Sequence, residues 1–256
     1  KPVCLLDLIL LNVRVPNERR GDYLAQVAAC RLGVNRIIEI TNQYGVAPIK
    51  SCFDEIISRT TFRMREVIKN LPDGNYTFED TMDDDGMGTY KIPVKVKITV
   101  KDSNIHFDFT GTANQVTGNI NVTRNATQAS VCYALKALLD PDIPNNQGVL
   151  DIPKITIEQG SLLDARFPAP VAARANTCQR IIDVIIGALA KAIPEAAVAA
   201  ANGANTTAVF SGIDPRSGES YVYLETLGGG FGGRATKDGK DGVQVHITNT
   251  SNLPIE

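Results

Sequence analysis

Tryptophan is absent from this chain, and aromatic residues make up only 6% of it, too few for the stacking platforms on which single-stranded nucleic acids are held. Charge of one sign is also lacking. Lys and Arg number 26 against 28 Asp and Glu, so no basic face for a nucleic-acid backbone is expected. No apolar run reaches membrane-spanning length. Leu5-Leu-Asp-Leu-Ile-Leu-Leu11 is short and broken by Asp7, and it does not read as a signal peptide. The five cysteines (Cys4, Cys30, Cys52, Cys132 and Cys178) never form a CxxC pair. That excludes a zinc ribbon or a disulfide framework and leaves small buried apolar residues in a reducing compartment as the expectation. His106 and His246 are the only two histidines, far apart and without HxxxH spacing, so no local metal motif exists.

What is present reads as a chain in two styles. Apolar residues recur at helical spacing at Leu24, Val27, Ala28 and Leu32, and again at Phe53, Ile56, Ile57, Met64, Val67 and Ile68. Gly45 with Pro48, then Leu71-Pro-Asp-Gly74, end these helices. From Tyr76 the period switches to two. Ile92, Val94, Val96, Ile98 and Val100 alternate with polar neighbours, turn at Asp102-Ser-Asn104, and resume at Ile105, Phe107 and Phe109. This predicts an antiparallel hairpin with one wet face, and Pro93 places the start of its strand at an edge or bulge. Helices are expected over 126–139 and 178–193, and strands near Ile155–Ile157, over 206–210, 221–226 and 243–248. The fold class is therefore α+β: a helical segment over 1–72, then antiparallel hairpins and a mixed sheet with packed helices over 73–256. The chain opens inside an apolar run and ends without a closing element, so a fragment of a longer polypeptide is expected.

Local motifs leave the chemistry open. Gly228-Gly-Gly-Phe-Gly-Gly233 satisfies GxGxxG, but Arg234-Ala-Thr-Lys-Asp-Gly239 follows instead of an apolar helix, and no Gly-Lys-Ser/Thr ends it. Both nucleotide readings fail on those flanks. Either the glycines let the backbone approach a ligand or a neighbouring segment closely, or the loop is a flexible linker. Asp83-Asp-Asp-Gly86 fails the EF-hand template and reads as a solvated turn. No GxSxG elbow exists.

Taken together, Gly21-Asp-Tyr-Leu-Ala-Gln-Val-Ala-Ala-Cys-Arg-Leu-Gly33, Leu71-Pro-Asp-Gly74, Asp108-Phe-Thr-Gly111, Gly118-Asn-Ile-Asn-Val-Thr123, Tyr133-Ala-Leu-Lys-Ala-Leu-Leu-Asp-Pro-Asp-Ile-Pro144, Glu158-Gln-Gly-Ser-Leu-Leu163, Glu225-Thr-Leu-Gly-Gly-Gly230 and His246-Ile-Thr-Asn-Thr250 resemble the hydantoinase B/oxoprolinase family in order and end to end. The resemblance implies part of the B-type subunit of an ATP-dependent cyclic-amide hydrolase (hydantoin, oxoproline or lactam), working in the cytoplasm with an ATP-binding A-type partner. Its competitors are a component of an ATP-dependent ketone carboxylase and a non-catalytic scaffold that docks the partner. The family's metal-binding motifs are expected to lie in a missing N-terminal B-type segment. Divalent metal and ATP therefore belong to the full complex, no metal ligand is assigned here, and the isolated chain is expected to be inactive. The small-molecule substrate is expected near polar loop residues that a core does not require. Glu225 and His246 are the catalytic candidates, orienting substrate or water; Asn121, Arg124, Gly228, Gly229, Gly230 and Asn249 are the substrate-binding ones.

Overall fold

The computed structural model describes residues 5–248, without the side chain of Ile247. In chain order the elements are α1 (Leu5–Leu10), α2 (Pro16–Tyr44), α3 (Val46–Lys69), β1 (Gly74–Asp84), β2 (Tyr90–Lys101), β3 (Asn104–Asp108), α4 (Arg124–Leu139), α5 (Gln147–Leu150), β4 (Lys154–Thr156), α6 (Arg174–Leu189), β5 (Thr207–Ile213), β6 (Ser220–Thr226) and a closing 3₁₀ turn, His246–Thr248. The α+β class holds. By contacts the chain divides into two compact units, Lys1–Ile56 with Val209–Glu225, and Ile57–Ala208 with Thr226–Glu256.

The second unit is built on a four-stranded sheet in the order β1-β2-β3-β4. β1, β2 and β3 pair antiparallel, while β4 joins β3 in parallel. Strict alternation in β2 has the expected consequence: Ile92, Val94, Val96, Ile98 and Val100 are all buried. The β2–β3 hairpin turns through Asp102, whose φ of 53° is the left-handed backbone conformation that tight hairpin turns use. β3 covers β2 only from Lys97 to Lys101. Pro93 lies outside that stretch, where its missing N–H breaks no pairing with β3.

α6 packs on β1, β2 and α4. Ile181, Ile182, Ile185 and Leu189 are fully buried in the core, and truncating any one to Ala would cost roughly 2–5 kcal/mol. Arg63 on α3 forks onto Asp140 at 2.5 and 2.6 Å, tying the end of α3 to the end of α4.

In the first unit α2 buries none of its residues. Leu24, Val27, Leu32, Ile37 and Ile38 are all exposed, contrary to the helical face their spacing suggested. No element among the described residues buries that face, and polar residues interleave around the helix, so the apolar spacing here marks neither a core nor a distinct apolar side. Cys30 and Cys52 are likewise exposed, against the expectation of burial, whereas Cys132 and Cys178 are buried. Burial pushes the Cys132 thiol up to about 12, which keeps it protonated and inert. β5 and β6 form a hairpin around the 214–218 turn, as the turn residues required.

A second difference concerns residues 243–248, expected as a strand. They form no strand but an extended stretch and the 3₁₀ turn. Gly242 at φ 64° and His246 at φ 50° bend the backbone out of any β ladder. Val245 is buried there, but so are its polar neighbours Gln244 and His246, against the alternation of a strand.

Of residues 83–86, Asp83 and Asp84 end β1, and the turn follows them, with Gly86 at φ 72° and Gly88 at φ 102°; it is not wholly solvated. Asp85 is buried. Its carboxylate accepts from the amides of Met87 and Thr89 at 2.9 Å each and from Gly118 at 3.0 Å. Burial alone would raise its pKa, but the amide donors of Thr89, Met87 and Gly118 outweigh that and lower it to about 2. A folded pKa below the unfolded one stabilises at neutral pH, and that contribution is lost as pH falls from about 4 through about 2. Asp85→Asn should lower stability at pH 7 and flatten its dependence on pH between those values. Urea midpoints measured across the window check this, and a parallel, merely displaced profile would contradict it.

Candidate active site

α6 has two faces. Opposite its isoleucines, Asn176, Gln179, Arg180 and Asp183 recur at three- and four-residue intervals and form one polar stripe. Each is engaged. Asn176 Oδ1 accepts from the Asn205 amide at 3.0 Å. Gln179 donates to Asn205 at 2.8 Å and to Thr248 at 2.9 Å. Arg180 reaches Asp80 on β1 at 2.5 Å and Asp183 at 3.6 Å. Asp183 in turn lies 2.7 Å from Nε2 of His246.

His246 is buried and heads the 3₁₀ turn. A carboxylate can only accept, so Nε2 must carry the proton, which leaves Nδ1 as the acceptor of the neutral ring. Phe231 and Tyr133 stand edge-on to the ring, with centroids 5.9 and 6.2 Å away. His246 lines a cavity of about 360 Å³ with apolar walls from Tyr133, Leu138, Ile186, Val198 and Phe231, and with Arg234, Asp238 and Lys240 as its charged lining. Apolar walls, convergent polar groups and a carboxylate-anchored imidazole are the ingredients of a small-molecule site with acid–base capacity. Among the described residues, five buried side-chain atoms lack a hydrogen-bond partner, and four of them lie on this stripe or beside His246: Gln179 Oε1, Arg180 Nε, Asp183 Oδ2 and Gln244 Oε1. Such clustering marks a site rather than a finished core.

The glycine-rich loop is packed, not a linker. The amides of Gly230 and Phe231 donate to Val243 and Lys240 at 2.9 and 2.8 Å. A Cβ on Gly228 would lie 2.1 Å from the Gly242 carbonyl oxygen, and one on Gly232 at 2.1 Å from that of Ala199. Glycine is thus required because three backbone segments touch here. The loop brings Phe231 and Gly232 to the His246 cavity, while Gly228, Gly229 and Gly230 form its packed base.

The other candidates are placed elsewhere. Asn121 is fully buried. Its Oδ1 accepts from the Val116 amide at 2.8 Å, and its Nδ2 donates to the carbonyls of Val116, Gly118 and Pro170 at 2.9 Å. Arg124 pairs with Asp164 at 3.1 Å and borders a separate cavity of about 270 Å³. Glu225 accepts from Tyr223 at the end of β6, in the first unit, whereas His246 belongs to the second. Asn249 lies outside the described residues. His106 bonds Thr156 at 2.8 Å within the sheet. Asp183, Arg180 and Asp80 were not nominated from sequence. The three-and-four spacing of polar residues through 176–183 was the available signal, masked by the isoleucines between them.

No group of three or more His, Cys, Asp or Glu side chains converges among the described residues, so they do not fit a divalent metal of their own.

Comparisons with known proteins identify the family of the chain. The profile of the hydantoinase B/oxoprolinase family matches residues 4–256. The chain belongs to that family. It is 37% identical over 262 residues to a protein of Pseudomonas sp. (strain NS671) provisionally assigned as the B-type subunit of a D-/L-hydantoinase, covering 98% of this chain and 44% of that one. The crystal structure of the ATP-dependent caprolactamase from Pseudomonas jessenii superposes with a TM-score of 0.83 at 25% identity, over 92% of this chain and 41% of that chain. A nucleotide-free acetone carboxylase matches with a TM-score of 0.78 at 14% identity, over 91% of this chain and 33% of that one, a likeness of fold alone. The chain therefore spans less than half the length of these relatives.

Asn121 braces the 116–121 loop with four hydrogen bonds. Asn121→Ala should therefore lower unfolding free energy by about 1–3 kcal/mol, because it leaves buried partners unpaired. Denaturant titration checks this; an unchanged midpoint would free Asn121 for a role in binding.

Proposed function

We propose that this chain supplies part of the B-type subunit of an ATP-dependent cyclic-amide hydrolase, and that its own chemistry is centred on His246. The observation that carries the reading is the 37% identity over nearly the whole chain to a hydantoinase component of the B type. A ketone carboxylase on the same scaffold is the weaker alternative, since the acetone carboxylase shares only 14% identity.

A ring amide is a poor electrophile, and ATP bound by an A-type partner supplies the phosphoryl group that makes its carbonyl open to water. This chain's part is positioning and proton transfer. Asp183 holds His246 in one tautomer, so that Nδ1 can take a proton from the attacking water, and the carboxylate stabilises the imidazolium that results. Phe231 and Tyr133 exclude bulk water around the ring. Arg234, Lys240 and Asp238 line the cavity with charges of both signs, which can anchor the polar edge of a ring amide. Glu225 is assigned an orienting role within the assembled enzyme, and Asn121 and Arg124 act by bracing loops of the second unit. A divalent metal, if used, is held by residues outside those described here, and no step is routed through it.

Exposed apolar residues on α2 and on the β5–β6 hairpin support work in an assembly, since such surfaces are normally covered. The isolated chain is accordingly expected to be inactive.

The test is reconstitution with the ATP-binding partner and the remainder of the B-type polypeptide. The complex should hydrolyse hydantoin, 5-oxoproline or a lactam only with ATP and without bicarbonate. His246→Gln should reduce kcat by about 10²–10⁴, with Glu225→Gln lowering it less. Bicarbonate consumption would establish the carboxylase reading. An assembled complex without either activity would establish the scaffold reading.

A further inference from the structure

Tyr133 and Ala137 lie one turn apart on α4, and both line two different cavities. On one side is the His246 cavity of about 360 Å³. On the other is an outer cavity of about 750 Å³, enclosed by α4 and the 141–150 segment. Ala137 contributes only a methyl group, so Tyr133 is the residue with the bulk to separate the two. Its ring already stands edge-on to His246. No hydrogen bond to its hydroxyl forms among the described residues, so the ring is held by packing alone. Burial raises its pKa, and it remains a neutral phenol.

The outer cavity has a definite chemistry. Cys132, Val149, Leu150 and Pro141 give it apolar walls, and Lys136 is occupied with Asn145 at 2.8 Å. Such a space suits an uncharged apolar group better than a charged one.

We propose that Tyr133 is the specificity-determining residue of the site. A compact ring sits wholly in the His246 cavity, and an apolar substituent on a larger ring passes beside Tyr133 into the outer cavity. Substituent size is therefore read against one aromatic ring. This rests on the reading of the His246 cavity as the place where the cyclic amide binds.

The experiment measures binding of two probes, hydantoin and 5-benzylhydantoin, to the full 256-residue chain by ligand-observed NMR. Tyr133→Ala should raise the preference for the benzyl compound over hydantoin about tenfold, whatever it does to hydantoin binding itself, the scale on which pockets discriminate single apolar groups. Tyr133→Leu, which keeps the core packed, should fall between, and Tyr133→Phe should match the parent. If Tyr133→Ala and Tyr133→Leu change both compounds alike, or change neither, the proposal is overturned. It is overturned equally if neither compound binds the parent chain. Turnover by the assembled complex is scored separately. The predicted binding ratio in a complex without ATP-dependent hydrolysis would count against the hydrolase reading and leave the role of Tyr133 standing.

Discussion

The hydrogen bond between Asp183 and His246 is the contact on which the site depends, and it exists because α6 serves two environments at once. One face of the helix gives its isoleucines and Leu189 to the core over the sheet. The other carries Asn176, Gln179, Arg180 and Asp183 toward β1 and the C-terminal loop. Burying the first face fixes the helix with many small apolar contacts, and that rigidity holds Asp183 in place for the imidazole. Arg180, anchored on Asp80, offsets the negative charge of Asp183 in a partly buried setting, where an unpaired carboxylate would be costly. The imidazole thus inherits its orientation from the sheet through two ion pairs and one helix.

The glycine-rich loop supports the same centre by different physics. Its residues approach the backbones of 199–200 and 239–243 and the Asn202 side chain so closely that added side chains would collide. Its fixed backbone carries Phe231 to the imidazole. The loop first looked like a nucleotide-binding turn. Its glycines instead serve chain-to-chain contact, and its contribution to the cavity is aromatic and steric.

Much of the fold was legible in the sequence, because the controlling signals are local. Alternation from Ile92 to Val100 marked a half-buried strand, Asp102-Ser103 marked its turn, and Gly45 marked the break between α2 and α3. Where long-range packing decides, local pattern failed. The apolar spacing of α2 implied a core that the described structure does not build. The alternation at Val243 and Val245 resembled a strand although two left-handed residues, Gly242 and His246, prevent one. The candidate site was half legible. His246 could be nominated as a polar residue in a loop, but its partner Asp183 lies 63 residues away in sequence. The polar stripe that would have revealed it was read only for its isoleucines. Asn121 was nominated for the same polar character, yet its hydrogen bonds are all spent on bracing loops.

The account's central claim is that Asp183 sets the tautomer of a cavity-lining His246 that meets the substrate ring through Nδ1. ¹⁵N NMR of the imidazole nitrogens tests it most directly. The account predicts a protonated Nε2 and an unprotonated Nδ1, loss of that preference in Asp183→Asn, and a shift of the Nδ1 resonance when hydantoin is added. A protonated Nδ1, or an Nδ1 resonance that saturating hydantoin leaves unmoved, would contradict it.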